Sequence, residues 1–89
     1  EPAQDVAKVI YDATVVHSMD REAVMREVID AYAHDSKESA DELRQKVMAF
    51  LPIIPLEHSF SFVTRKPEGY KAEVLKDLCF IRMLYEENT

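Results

Sequence analysis

The chain has 89 residues, 47% of them apolar, with one cysteine and a formal net charge of −6. That length makes a single domain over 1–89, the apolar share excludes a disordered chain, and a lone Cys79 excludes an internal disulfide and suits a reducing, cytoplasmic setting. Residues 1–58 hold 12 acidic and 6 basic side chains, whereas 59–89 hold 5 of each, so general affinity for nucleic-acid phosphates is not expected.

A domain this small buries only roughly 60% of its unfolded surface, and it usually gains strength from a disulfide, a metal or a partner subunit. With the disulfide excluded, a metal or self-association remains. Gly69 is the one glycine, which suits helices joined by short polar connections and not a hairpin-rich β fold. No run approaches about 18 consecutive apolar residues, so no membrane span is expected. The first residue is not Met, and the basic-then-apolar layout of a signal peptide is missing, so the N-terminus is expected to be trimmed or processed.

The first predicted helix runs from Pro2 to His17. Pro2 can occupy a first turn at little cost, and Val6, Val9, Ile10, Ala13 and Val16 recur with helical period. The β-branched run Thr14-Val15-Val16 weakens its last turn. The second helix spans Asp20 to Ala33, with Ser18 and Asp20 as candidate caps. Val24, Met25, Val28, Ile29 and Tyr32 form its apolar face, and His34-Asp35-Ser36 breaks it. The third begins at Ser36 or Ser39, since both Asp35–Glu38 and Ser39–Glu42 have capping-box spacing. Ala40, Leu43, Val47, Phe50 and Leu51 mark its face, and Pro52 is expected to stop it.

Residues 52–66 read as a long, apolar, partly extended crossover. Pro52 and Pro55 frame an extended PIIP, and Ser59-Phe60-Ser61-Phe62-Val63-Thr64 alternates like a strand. Arg65 to Gly69 is a turn, and a last helix follows from Tyr70 to about Glu86. Val74, Leu75, Leu78, Ile81, Leu84 and Tyr85 recur on one face of it, while Cys79, Phe80 and Met83 widen the apolar surface. The expected architecture is all-α, an irregular four-helix bundle with this crossover between helices three and four.

Nothing in the sequence forces a chemistry. His17, His34, His58 and Cys79 have no compact metal-ligand spacing, so no metal site or cofactor is expected. Cys79 lies in the most apolar stretch and reads as a small buried hydrophobe. Ser59 and Ser61 lack the glycines of a nucleophile elbow. The carboxylate pairs Asp41–Glu42, Asp20–Glu22 and Asp30–Asp35 lie among polar neighbours, which suits solvated faces and not acid catalysis. Enzyme activity is therefore not expected.

What remains is surplus apolar surface in the crossover and in the last helix. It points to a small non-enzymatic protein-binding module, a regulator or adaptor, working as a homodimer or on a protein partner. Phe60, Phe62, Phe80, Met83 and Leu84 are the expected interface residues. Arg65, Lys66, Lys71 and Lys76 read first as a solubilising rim and second as a docking patch for an acidic partner. One alternative is a helix-turn-helix DNA-binding regulator using the second and third helices. Against it, residues 20–42 carry 8 acidic and 3 basic side chains. The other is a small-ligand carrier or enzyme accessory subunit with a pocket under the crossover.

Overall fold

The computed structural model describes residues 2–87, with side chains described through 86. The elements are α1 (Pro2–Tyr11), a π-helical turn (Asp12–Val16), α2 (Arg21–Asp35), α3 (Ala40–Phe50), α4 (Ile53–Arg65) and α5 (Tyr70–Glu87). No strand occurs among the described residues, and the protein is all-α. The helices group into two compact units, residues 1–51 and 52–89.

In the first unit α1, α2 and α3 pack on one another. The buried stripe of α1 is Ala3, Val6, Ala7, Ile10 and Tyr11, while Val9 and Val16 are exposed. The π turn is the reason the stripe does not continue to Val16. His17 N–H donates to the Asp12 carbonyl, five residues back, at 3.3 Å, which changes the rotation per residue just after Tyr11. Thr14 Oγ1 donates to the Ile10 carbonyl at 2.7 Å. Such a β-branched hydroxyl competes with regular helix pairing, so the run that predicted a weakened end forms a wider turn. Ser18, at φ +53°, then swings the chain towards α2.

Both helix starts are capped as the residue types predict. Asp20 Oδ2 accepts from Ala23 N–H at 3.0 Å, and Ser39 Oγ accepts from Glu42 N–H at 3.2 Å. Ser39, not Ser36, is thus the cap of α3. Val24, Met25 and Ile29 from α2 and Leu43, Val47 and Leu51 complete the core, with Tyr32 left exposed. Arg21 is also buried. Its guanidinium donates to Met25 Sδ at 3.0 Å, and Glu22 lies 3.9 Å away. Burial pushes the Arg21 pKa below its usual value, with Glu22 opposing and Arg44 adding to the shift. Glu22 accepts from Arg44 at 2.6 Å and Lys46 pairs with Glu38, tying α3 to α2 and to the residues that follow it.

The second unit is a helical hairpin, and it corrects the expected extended crossover at 52–66. Residues 53–65 are helical. Leu51 keeps helical dihedrals (φ −53°, ψ −46°) despite the proline that follows, and so does Pro52 (φ −69°, ψ −22°). Pro55 falls in the first turn of α4, where backbone N–H groups have no intrahelical acceptor, so its missing donor costs little. The helix ends at Lys66, in the left-handed region at φ +49°, whose N–H donates to the Phe62 carbonyl at 2.7 Å. Gly69 takes φ +79° and Tyr70 N–H donates to the Pro67 carbonyl at 3.1 Å, which reverses the chain into α5.

Candidate interaction surface

The geometry of the hairpin follows from one buried acid. Asp77 is 0% exposed. A carboxyl group removed from water needs hydrogen bonds to offset its lost hydration. Two adjacent α4 residues supply them on the same oxygen: Ser59 Oγ donates to Asp77 Oδ2 at 2.7 Å, and His58 Nδ1 donates to it at 2.7 Å. The pair fixes which edge of α4 meets which edge of α5. Pro55 is buried on that edge of α4, and Phe80 and Leu84 are buried on that edge of α5. Phe62 stacks beside His58, with ring centroids 4.6 Å apart, and the Arg65 guanidinium lies 5.8 Å from the Phe62 centroid.

Serine, histidine and aspartate together resemble a hydrolytic triad in composition only. Nucleophile activation requires the hydroxyl to bond the imidazole, and the imidazole to bond the acid on its other side. Here the hydroxyl and the imidazole both bond the acid. The arrangement orients His58 and joins the two helices.

With this edge turned inward, a second set of apolar side chains is left outside. On α4 these are Ile53, Leu56, Phe60 and Val63, with Leu56 55% and Phe60 76% exposed. On α5 they include Leu75 and Leu78, at 60% and 53%, and Tyr85. Each set recurs every three or four residues. At about 100° per residue, Leu75 lies roughly 160° around α5 from Asp77 and Phe60 roughly 150° around α4 from the His58–Ser59 edge, so these two look outward from the two flanks of the hairpin, whereas Leu56 and Leu78 turn towards one side of it.

Of the residues expected at an interface, Phe60 is exposed on the outer flank of α4 and Phe62 is half-buried beside His58. Met83 is exposed on the flank of α5 away from Leu78. Phe80 and Leu84 are buried, at 3% exposed each. The structure therefore does not bring the five together. Lys76 lies 3.5 Å from Glu73, and Arg65 is drawn to Phe62, so two of the four docking-patch cations have local neighbours, while Lys66 and Lys71 are exposed. Cys79, expected to be buried, is exposed. It falls between the outer stripe and Met83, away from the edge that Asp77 turns inward.

Asp77 is the residue that sequence reasoning passed over. Its signal was present: a carboxylate at helical spacing between Val74, Ile81 and Leu84, a polar residue inside an apolar stripe. Among the described residues no three His, Cys, Asp or Glu side chains converge on a common point. A shallow depression of about 310 Å³ lies on α2, lined by Glu27, Val28, Ala31, Tyr32 and Asp35, and none of its walls comes from the expected crossover. By length and composition the helical stretch Ala40–Arg65 is apolar enough to cross a membrane. Within it, Leu43, Val47 and Leu51 are buried and His58 and Ser59 bond Asp77, while 17% of its apolar window is buried in all.

No protein-family model, curated protein or solved structure matches the chain.

Proposed function

We propose that the protein is a small non-enzymatic binding module whose contact surface is the outer face of the α4–α5 hairpin. The observation that carries this reading is the exposed apolar surface of the hairpin, on which Leu56, Phe60, Leu75 and Leu78 are all more than half exposed. Isolated exposed apolar residues are ordinary. A face of this extent, on helices whose other edge is already satisfied, favours coverage by protein. A regulatory or adaptor role fits a module with this surface. The DNA-binding alternative draws less support, because the α2–α3 region is acidic where a recognition helix needs cations.

The test is site-specific photo-crosslinking in the native cells, with a photoreactive phenylalanine analogue at position 60 and a control at Glu68 in the exposed turn. The proposal expects a discrete protein adduct from position 60 and none from position 68. Loss of the adduct in the Leu78→Asp background would tie it to the face. No adduct from position 60 would refute the reading.

A further inference from the structure

We infer that the side of the hairpin bearing Leu56 and Leu78 takes an acidic amphipathic helix of a partner protein. The inference rests on the binding-module reading and adds the chemistry of the partner.

The two helices run antiparallel through the turn at 66–69. At about 100° per residue, Leu56 and Val63 lie roughly 90–110° around α4 from the His58–Ser59 edge. Leu78 and Tyr85 lie roughly 80–100° around α5 from Asp77, in the same sense. Because the helices are antiparallel, these rotations turn all four side chains to one side of the hairpin. Each is exposed, from 47% at Val63 to 68% at Tyr85. They stand on either side of the furrow between α4 and α5, and such a furrow accepts the apolar stripe of a third helix.

Charge selects the kind of helix. Lys71 and Arg82 lie roughly 120° and 140° around α5 in the same sense, and both are exposed. Glu57 lies roughly 210° around α4 and Glu73 roughly 320° around α5, which puts both carboxylates on the other side. Glu86, bonded to Arg82 at 3.0 Å, lies roughly 180° around α5 and so points away from α4. Along the described part of the two helices, this side thus carries two cations and no carboxylate.

Lys71 and Arg82 are 11 positions apart in the sequence, about 16 Å or three helical turns along α5. A partner helix in the furrow meets both when carboxylates border its apolar stripe about three turns apart. A basic helix, or this same side of a second copy, would set cation against cation. Anionic lipid has the right sign, but segments that hold it carry clusters of about 4–8 cations. This side has two, on a chain of net charge −6.

Fluorescence anisotropy with the full chain and two synthetic helical peptides tests the inference. Each peptide has about 18 residues, enough to span the three turns, with leucines at helical spacing. One carries glutamates along the borders of the leucine stripe, and the other carries lysines there. The expected result is that the glutamate peptide binds and the lysine peptide does not. Lys71→Glu with Arg82→Glu should weaken the glutamate peptide about tenfold, as loss of two exposed ion pairs at roughly two- to fivefold each does. Lys76→Glu, roughly 260° around α5 and therefore on the other side, should leave it unchanged. Equal binding of the two peptides overturns the inference, as does a glutamate peptide that the double variant binds as tightly as the parent. Failure of both peptides, with co-sedimentation on phosphatidylserine vesicles, gives this side to lipid and overturns it too. If the peptides fail and position 60 still crosslinks to a protein, the acidic helix is wrong and the binding-module reading survives. If the peptides fail and nothing crosslinks, both are wrong.

Discussion

Removing the Asp77 carboxylate should loosen the hairpin by an amount that its hydrogen bonds determine. In Asp77→Ala, Ser59 Oγ and His58 Nδ1 lose the oxygen they share at 2.7 Å. Each donor left without an acceptor in a buried setting costs about 1–3 kcal/mol. The His58 side chain is 36% exposed, so water can replace part of its bond, and its share falls at the low end. The sum is about 2–4 kcal/mol, equivalent to amide exchange roughly thirty- to a thousandfold faster across α4 and α5 in native-state hydrogen exchange. A companion variant separates hydrogen bonding from packing. His58→Leu, Ser59→Ala and Asp77→Leu together remove both ends of these two hydrogen bonds, and a buried polar cluster replaced whole by apolar residues is often neutral. That triple variant should exchange within about tenfold of the parent. If Asp77→Ala exchanges at the parental rate, the acid does not set the hairpin's register and the assignment of its inner edge is wrong.

Three further outcomes follow from the same reasoning. Leu43→Ala should destabilise the first unit by about 2–5 kcal/mol in urea unfolding followed at the helical band, because Leu43 is fully buried and its removal leaves a cavity; a cost below about 1 kcal/mol would contradict that packing. Cys79 should react with an aromatic disulfide reagent in the folded protein without denaturant, since the thiol is exposed; a reaction that appears only on unfolding would restore the buried reading. Random duplex DNA should show no retardation at physiological salt, given the net charge of −6, and a salt-sensitive complex would promote the DNA-binding alternative.

Much of this fold is legible in the residues. Period alone locates four of the five helices, and the side chains of Asp20 and Ser39 announce where two of them begin. The miss at α4 has a definite cause. Proline is read as a breaker wherever it falls, but Pro52 and Pro55 fall at the start of a helix, where they are tolerated. Ser59 to Thr64 then alternates enough to pass for a strand, although Leu56, Phe60 and Val63 already had helical spacing.

The candidate surface was half legible, for a different reason. That α5 carries more apolar surface than one core can use is plain in its sequence. Which of its stripes faces inward is not, because hydrophobicity cannot separate Leu75 and Leu78 from Phe80 and Leu84. The choice is made by a polar contact between residues 18 and 19 positions apart, Asp77 with Ser59 and His58. Such a contact carries no periodic signal. Cys79 is exposed for the same reason, although its apolar neighbours suit a core position.

Hydroxyl-radical footprinting of the protein in its native extract and again after purification tests most directly the claim that the exposed apolar surface of the hairpin is covered by protein. The oxidation rates of Leu56, Phe60, Leu75 and Leu78 are the readout, with exposed Val16 and Met19 of the first unit as internal controls. Hairpin residues protected in the extract and released on purification, while Val16 and Met19 keep the same rates, are the expected result. Hairpin rates that are the same in the extract and in the purified protein would contradict it.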